Sequence, residues 1–212
     1  MLATRDLTFA YPHRRELILD GLTTSFANGS VTAVTGASGA GKSTLLYVLA
    51  LMLRATRGQV LWHGRPVSDL PDAERARMRA AEFGFVFQDA MLDPSRTILD
   101  NVCEAALFAG IPHRVARTRA QELLAEFGIE HRADHRPGQI SGGQAQRVAL
   151  CRALVTSPTV VFGDEPTGNL DVTSARVVWT ALREHAHQGA TVIVATHDER
   201  LTGDADAVVR LP

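Results

Sequence analysis

The stretch GASGAGKST, residues 36–44, constrains the fold of this 212-residue chain more than any other feature. It matches the phosphate-loop pattern G-x-x-x-x-G-K-[ST] and lies between an apolar run, VTAVT, and an apolar helical segment, TLLYVLALML. Glycines let backbone N–H groups face an anion, and the N-terminus of the following helix adds partial positive charge. The strand–loop–helix setting predicts a phosphate-binding turn inside an α/β core rather than a chance glycine-rich turn.

Two side chains in this loop carry specific chemistry. Lys42 is predicted to reach the β- and γ-phosphates of a nucleoside triphosphate, and Ser43 to ligate Mg²⁺. The predicted nucleotide-binding residues of the loop are Gly36, Ser38, Gly39, Gly41, Lys42, Ser43 and Thr44.

Further apolar runs predict the rest of the core. They are continuous rather than alternating, which favours parallel strands buried on both faces. LATRDLTFAY and the segment around ELILDGLTTSF alternate more and predict an antiparallel strand group before the phosphate loop. The predicted parallel strands are VTAVT (31–35), FGFVF (83–87), TVVFG (159–163) and TVIVAT (191–196).

Residues 97–155 show helical patterns and no convincing strand. In the segment 115–128, the apolar face is predicted to contain Val115, Leu123, Leu124 and Phe127, with Gly128 ending the helix. The predicted fold class is α/β: a P-loop NTPase (RecA-like) core with an N-terminal antiparallel β group and an inserted α-helical subdomain. The chain is expected to be a single domain, with a core lobe at 1–88 and 158–212 and a helical lobe at 89–157.

A carboxylate pair, Asp164 and Glu165, follows the buried run TVVFG. In P-loop proteins an aspartate at this place holds Mg²⁺, usually through water, and the adjacent Glu165 is the candidate general base. DEPTG also has the composition of an ordinary loop, but the phosphate loop upstream favours the catalytic interpretation. Gly163, just before the pair, either loosens the strand or admits a close neighbour.

Two more polar residues end predicted strands. His197 follows TVIVAT, and strand C-terminal ends converge on the ligand crevice of a parallel sheet, so we expect His197 near the γ-phosphate beside Glu165. Gln88 follows FGFVF. Its neutral amide is suited to approach Mg²⁺ and the attacking water, although spacing alone leaves an ordinary strand-end polar residue equally open.

The sequence ISGGQ, residues 140–144, resembles a second phosphate-binding turn. Ser141 followed by Gln144 is a capping-box pattern that opens a helix. The two glycines between them are not explained by a cap, since glycine in a helix costs about 0.5–1 kcal/mol relative to alanine. Bare N–H groups at a helix N-terminus form an anion site, so the glycines indicate a second ligand contact.

This ordered set of motifs resembles the nucleotide-binding subunit of an ABC transporter over essentially the whole chain. Tyr11, in FAYP, matches the aromatic residue that stacks on adenine in that family. The matching motifs are the Walker A loop (36–44), the Q-loop (Gln88), the signature (140–144), the Walker B strand (159–164) with Glu165, the D-loop (168–171) and the switch histidine (His197).

The resemblance implies ATP and Mg²⁺ as cofactors, with Ser43, Gln88 and Asp164 as metal ligands. It implies a head-to-tail dimer in which each ATP lies between the Walker A loop of one chain and the signature of a second copy. Glu165 would activate water and His197 would stabilise the γ-phosphate. Asp171 would couple the two sites, and the trans contacts would come from Ser141, Gly142, Gly143 and Gln144.

GDEPTGNLD and the segment 131–155 resemble one branch of the family, the MacB/LolD/haem-efflux-like ATPases. Their partners are FtsX/MacB-type permeases, and the groove near Gln88 would receive a cytoplasmic helix of such a permease. Candidate substrates are haem, a macrolide or other drug, an antimicrobial peptide or a lipoprotein. The alternatives are an ABC ATPase that acts on DNA or ribosomes without transport, or a nucleotide-binding module that signals without turnover, as in the regulation of cell-wall hydrolases.

Composition limits these alternatives. The formal net charge of −1 gives no electrostatic case for nucleic-acid binding. The two cysteines, Cys103 and Cys151, are predicted to be reduced and buried, without metal-site spacing. The longest apolar run has nine residues, against roughly 20 needed to span a bilayer, and no signal peptide is predicted. We expect the chain at the cytoplasmic face of the cell membrane, held there by its permease.

Overall fold

The computed structural model describes residues 1–12 and 16–212 and contains two sheets. The first is antiparallel, in the order β2-β1-β4-β5, and the second is parallel, in the order β6-β7-β8-β3-β9. The strands are β1 (Leu2–Phe9), β2 (Leu19–Phe26), β3 (Ser30–Thr35), β4 (Arg57–Trp62), β5 (Arg65–Pro66), β6 (Phe83–Val86), β7 (Val160–Asp164), β8 (Thr191–Ala195) and β9 (Ala207–Arg210).

Seven α-helices are seen in the described residues, and the three between β6 and β7 pack against one another. Two short 3-10 turns, Glu130–Arg132 and Pro137–Gln139, complete that segment. The helices are α1 (Lys42–Leu49), α2 (Asp72–Glu82), α3 (Ile98–Phe108), α4 (His113–Glu126), α5 (Gly142–Leu154), α6 (Val172–His187) and α7 (Glu199–Asp204). No strand lies between β6 and β7, as predicted, while the lobe limits at 89 and 157 stay a prediction.

The parallel sheet is covered on both faces, which is why its central strands read as continuous apolar runs. Every residue of β7 and β8 is buried. Val161 and Val192 face the cluster built with α3–α6, while Phe162 and Ile193 face the cluster that holds α1 and the antiparallel sheet. The predicted α/β fold with an N-terminal antiparallel group and inserted helices is therefore confirmed.

One predicted apolar position is wrong. Val115 is 40% exposed, because α4 begins at His113 and its first turn faces solvent. Ala116, Ala120 and Leu124 carry the buried face instead.

Helix α2 has no apolar stripe to reveal it, since its one buried side chain is Arg75. The Arg75 guanidinium donates to the carbonyls of Leu51 and Leu53, at 2.7 and 3.0 Å, and so anchors α2 to the segment after α1. Within residues 1–12 and 16–212, no helix is both long and apolar enough to cross a bilayer.

Candidate nucleotide-binding and catalytic site

The predicted phosphate loop connects β3 to α1 and curls as its sequence requires. Gly41 caps α1 with a φ of +90°, and a Cβ there would lie 2.7 Å from Cγ2 of Ile18, so both conformation and space demand glycine. The Lys42 ammonium folds back over the loop and donates to the carbonyls of Gly36 and Ala37 at 3.0 and 3.2 Å. Within the part of the chain that the structure describes, the ammonium is therefore paired only with backbone carbonyls of the loop.

Tyr11 stands beside this loop. Its hydroxyl lies 3.2 Å from Oγ1 of Thr44, and its ring packs edge-on against Phe9 with centroids 4.9 Å apart. The ring is held by β1 and α1 and is partly exposed, a position that suits stacking on a flat base.

The two predicted metal ligands from distant segments meet in the structure. Ser43 Oγ donates a 2.8 Å hydrogen bond to Oδ1 of Asp164, the last residue of β7. Asp164 is only 7% exposed. A hydroxyl oxygen and a carboxylate oxygen that face each other are ligand types that Mg²⁺ accepts.

Tyr47 completes this contact and was not predicted. Its hydroxyl donates to Oδ2 of Asp164 at 3.0 Å. Burial, followed by the nearby Asp164 charge, raises the pKa of Tyr47 to about 12. Tyr47 follows Ser43 by four residues on one helix, so both side chains share a face, and that spacing was the available signal.

Glu165 and His197 lie in contact, as the convergence of strand ends predicts. Nδ1 of His197 is 2.9 Å from Oε1 of Glu165. Glu165 has a φ of +46°, and its N–H donates to the carbonyl of Ala195 in β8 at 2.9 Å. A left-handed glutamate is uncommon and is held here by the neighbouring strand. The Glu165 side chain is 15% exposed and that of His197 is 75% exposed, so the pair opens to solvent on the histidine side.

Gln88 is exposed after β6, beside the turn that follows Glu165. A Cβ at Gly168 would lie 4.0 Å from its amide nitrogen, and Asn169 donates to Asp89 at 3.5 Å. Among the described residues, the Gln88 side chain makes no hydrogen bond to Ser43 or Asp164. The structure therefore places Gln88 next to the D-loop, and its role as a metal ligand stays a prediction.

Gly163 admits a close neighbour. A Cβ at this position would lie 3.0 Å from Cγ of Pro166 and 3.4 Å from Cγ2 of Val194. The absent side chain lets the turn after Glu165 fold back onto β7, so of the two interpretations left open, close packing is the correct one.

The capping box at the start of α5 is present. Ser141 Oγ accepts from the N–H of Gln144 at 3.3 Å, and Oε1 of Gln144 accepts from the N–H of Ser141 at 3.0 Å. Helix α5 begins at Gly142, and the N–H groups of Gly142 and Gly143 have no partner within the described chain. Two bare N–H groups at a helix N-terminus form an anion-binding feature.

The two glycines have different reasons to be glycine. A Cβ at Gly142 would meet nothing within 4 Å, whereas a Cβ at Gly143 would lie 2.8 Å from Oγ of Ser174. Packing within the chain therefore gives Gly143 a reason to be glycine, whereas the described residues make no such contact at Gly142.

Asp171 caps α6 and lies beside Gly143. Oδ1 accepts from the N–H groups of Thr173 and Ser174 at 2.9 and 3.0 Å, and Oδ2 accepts from the Ser174 hydroxyl at 2.7 Å. The Ser174 backbone hydrogen bond is the largest of the effects that lower the pKa of Asp171. Within one chain Asp171 organises the D-loop, and its coupling role between chains stays a prediction.

Helix α5 also holds the segment around Gln88, which sequence reasoning missed. Buried Gln146 donates to the carbonyls of Phe87 and Pro166 at 2.8 and 3.1 Å. Arg152 donates to the carbonyls of Ala90 and Met91 at 2.7 and 2.8 Å. The helix that begins with the signature therefore carries the backbone on both sides of Gln88.

An open groove of about 740 Å³ lies beside this segment. Exposed apolar side chains line it, with Met91 67%, Phe108 77% and Met52 42% accessible. Arg77, Arg79, Arg152 and Glu104 add charge to its walls.

Comparisons with known proteins agree with this arrangement. The model of the ABC transporter family matches residues 19–168. The lipoprotein-releasing system ATP-binding protein LolD of Geobacter metallireducens is 44% identical over 214 residues, which cover 100% of this chain and 95% of the relative. LolD of Myxococcus xanthus is 45% identical over 195 residues, covering 92% of this chain and 87% of the relative.

Solved structures give the same result. A dimeric ATP-binding cassette in a post-hydrolysis state, bound to ADP and Pi, superposes with a TM-score of 0.91 at 32% identity, covering 100% of this chain and 94% of that one. A subunit of an ABC transporter complex from Clostridium perfringens has a TM-score of 0.86 at 31% identity and covers 99% of this chain and 84% of that one. The chain therefore belongs to the ABC transporter family, as one of its ATP-binding, ATP-hydrolysing subunits.

Proposed function

We propose that this chain drives an FtsX/MacB-type permease that releases lipoproteins from the membrane or exports a related amphipathic substrate. The observation that carries this proposal is the full-length identity of 42–45% to ATP-binding proteins of lipoprotein-releasing systems. ABC ATPases power membrane transporters as dimers. The proposal adds the type of permease and the class of substrate. Binding to such a permease would place the chain at the cytoplasmic face of the membrane.

ATP would occupy the loop at 36–44, with its base against Tyr11 and its phosphates against Lys42. The Ser43 hydroxyl and the Asp164 carboxylate fit Mg²⁺, because they already face each other at 2.8 Å. Gln88, from the loop after β6, would join them as a ligand. When bound, the ion supplies positive charge against the β- and γ-phosphate oxygens.

Hydrolysis would use the Glu165–His197 pair. Glu165 accepts a proton from the attacking water as general base. The 2.9 Å contact between Nδ1 of His197 and Glu165 orients the ring, which leaves Nε2 to face the γ-phosphate. The backbone bond to β8 holds the Glu165 main chain in place, and the contact with His197 positions its carboxylate.

The signature completes the site of a second copy. Since Ser141 Oγ and Gln144 serve the helix cap, the unpaired N–H groups of Gly142 and Gly143 are the groups left to bind the partner's γ-phosphate. The serine hydroxyl retains a proton to donate to the same phosphate. Asp171, in the adjacent α6 cap, lies at the same surface and would couple the two sites.

The groove beside α2 and α3 is the proposed docking site for a cytoplasmic helix of the permease. Exposed Met91 and Phe108 offer apolar surface to a helix, and Arg152 ties the groove directly to α5. A permease helix that moves this groove would therefore move the signature at the other end of α5.

The proposal is tested by recovering the complex. A tagged chain expressed in its source cell should co-purify from detergent with a permease that has four membrane-spanning helices and a large outer domain. Reconstituted with labelled lipoprotein, the complex should release the lipoprotein only with ATP. A Phe108→Glu chain should lose the permease, while a Val115→Glu chain, changed at an exposed valine outside the groove, should keep it.

Recovery of ribosomes, DNA or a cell-wall hydrolase regulator in place of such a permease would refute the proposal. A permease that is recovered but releases no lipoprotein would refute lipoproteins as the substrate and leave the permease type standing.

A further inference from the structure

We propose that Tyr47 is a positioning residue that fixes the Asp164 carboxylate for Mg²⁺. The proposal rests on the metal site described above. Asp164 accepts hydrogen bonds from α1 at both of its oxygens, from Ser43 at Oδ1 (2.8 Å) and from Tyr47 at Oδ2 (3.0 Å). The two donors lie one helical turn apart, so a single rigid element defines both bonds.

The two bonds have different roles toward a cation. Ser43 Oγ and Asp164 Oδ1 would hold the ion, whereas Tyr47 contacts only Oδ2 of this carboxylate and would keep its bond when the ion is present. It keeps the carboxylate from rotating, so that Oδ1 stays directed at the metal, which is how hydrogen bonds behind a ligand raise metal affinity.

Packing fixes the tyrosine ring independently of its hydroxyl. The ring lies against Phe85 with centroids 5.6 Å apart and against Phe87 with centroids 6.5 Å apart. Phe85 belongs to β6, and Phe87 immediately precedes Gln88. A phenylalanine at position 47 would keep these contacts, so Tyr47→Phe removes the hydroxyl alone.

The test measures Mg²⁺-dependent nucleotide binding rather than turnover. A fluorescent ATP analogue is titrated against Glu165→Gln chains in EDTA and then at rising Mg²⁺. Tyr47→Phe should bind the analogue in EDTA within about twofold of its parent, while its half-saturating Mg²⁺ should rise about tenfold. Ser43→Ala, which removes a direct ligand, should lose the Mg²⁺ effect, and urea unfolding of Tyr47→Phe confirms that the variant is folded.

Each contrary outcome has one meaning. An unchanged Mg²⁺ dependence in Tyr47→Phe, with the effect lost in Ser43→Ala, would overturn the role of the hydroxyl and leave the metal site intact. Equal weakening with and without Mg²⁺ would show a general structural role and would also overturn it. A full Mg²⁺ effect in Ser43→Ala would overturn the metal site itself and, with it, this inference.

Discussion

Gln146 donates to the carbonyl of Phe87 at 2.8 Å from a side chain that is only 3% exposed. Its second amide proton goes to the carbonyl of Pro166 at 3.1 Å. One residue of α5 therefore joins the residue before Gln88 to the residue after Glu165. The helix that opens with the signature is physically tied to both predicted catalytic loops of its own chain.

Replacing Gln146 with methionine should uncouple these loops. Two backbone carbonyls would lose their donor, and the free energy of unfolding should fall by about 2–4 kcal/mol. ATPase activity should fall more than ATP affinity, because the substitution displaces the segments beside Gln88 and Glu165 and leaves the phosphate loop in place. Urea unfolding and steady-state kinetics measure both effects, with Gln188→Met at an exposed glutamine as the control. Equal losses in the two variants would contradict the account.

The two signature glycines should separate stability from function. Gly143→Ala places a Cβ 2.8 Å from Ser174 Oγ and should lower the free energy of unfolding by about 1–3 kcal/mol. Gly142→Ala meets open space and should stabilise α5 slightly, by about 0.5–1 kcal/mol, yet impair ATP-dependent dimerisation. Thermal unfolding and analytical ultracentrifugation distinguish these effects. Adding Ser174→Ala to Gly143→Ala should restore part of its stability, and a failure to do so would place the strain elsewhere.

Glu165→Gln should retain ATP and lose turnover. The amide keeps the size of the side chain but accepts no proton, so kcat should fall at least about a hundredfold. ATP bound without hydrolysis should accumulate as a dimer in size-exclusion chromatography. Persistence of hydrolysis near the original rate would exclude Glu165 as the base.

The native thiols should be unreactive in the folded chain. Cys103 and Cys151 are both free and buried, and burial raises the pKa of each thiol. Iodoacetamide at pH 8 should label neither until urea unfolds the protein, as mass spectrometry can follow. Rapid labelling of either in the native state would contradict the packing of α3 or α5.

Sequence reasoning located the residues whose spacing within one segment reflects chemistry. The three-residue spacing of Ser141 and Gln144 predicts their capping box, and the glycines directly before Lys42 predict the phosphate loop. The Glu165–His197 contact was also predictable, because the C-terminal ends of strands in a parallel sheet converge.

Most other contacts between segments far apart in the chain could not be predicted from the sequence. Gln146 reads as an ordinary polar helix residue until β6 and β7 are placed beside it, and Tyr47 reads as part of an apolar helix. Helix α2 carries no apolar stripe because Arg75 is its buried residue. The contact of Gly143 with Ser174 was likewise unpredictable, and it adds a packing reason for this glycine beside the predicted ligand contact, which stays a prediction.

The central claim is that one chain's phosphate loop and another chain's signature enclose one ATP. Its most direct test mixes two Glu165→Gln chains of different size, one carrying Ser38→Cys and the other Ser141→Cys, with a short thiol-bridging reagent. Both positions are exposed, and the native thiols are buried. The account predicts a crosslinked pair of unlike chains that forms only with ATP and only when both new cysteines are present. Absence of that pair while ATP is bound, or equal crosslinking of Ser38→Cys chains to themselves, would contradict it.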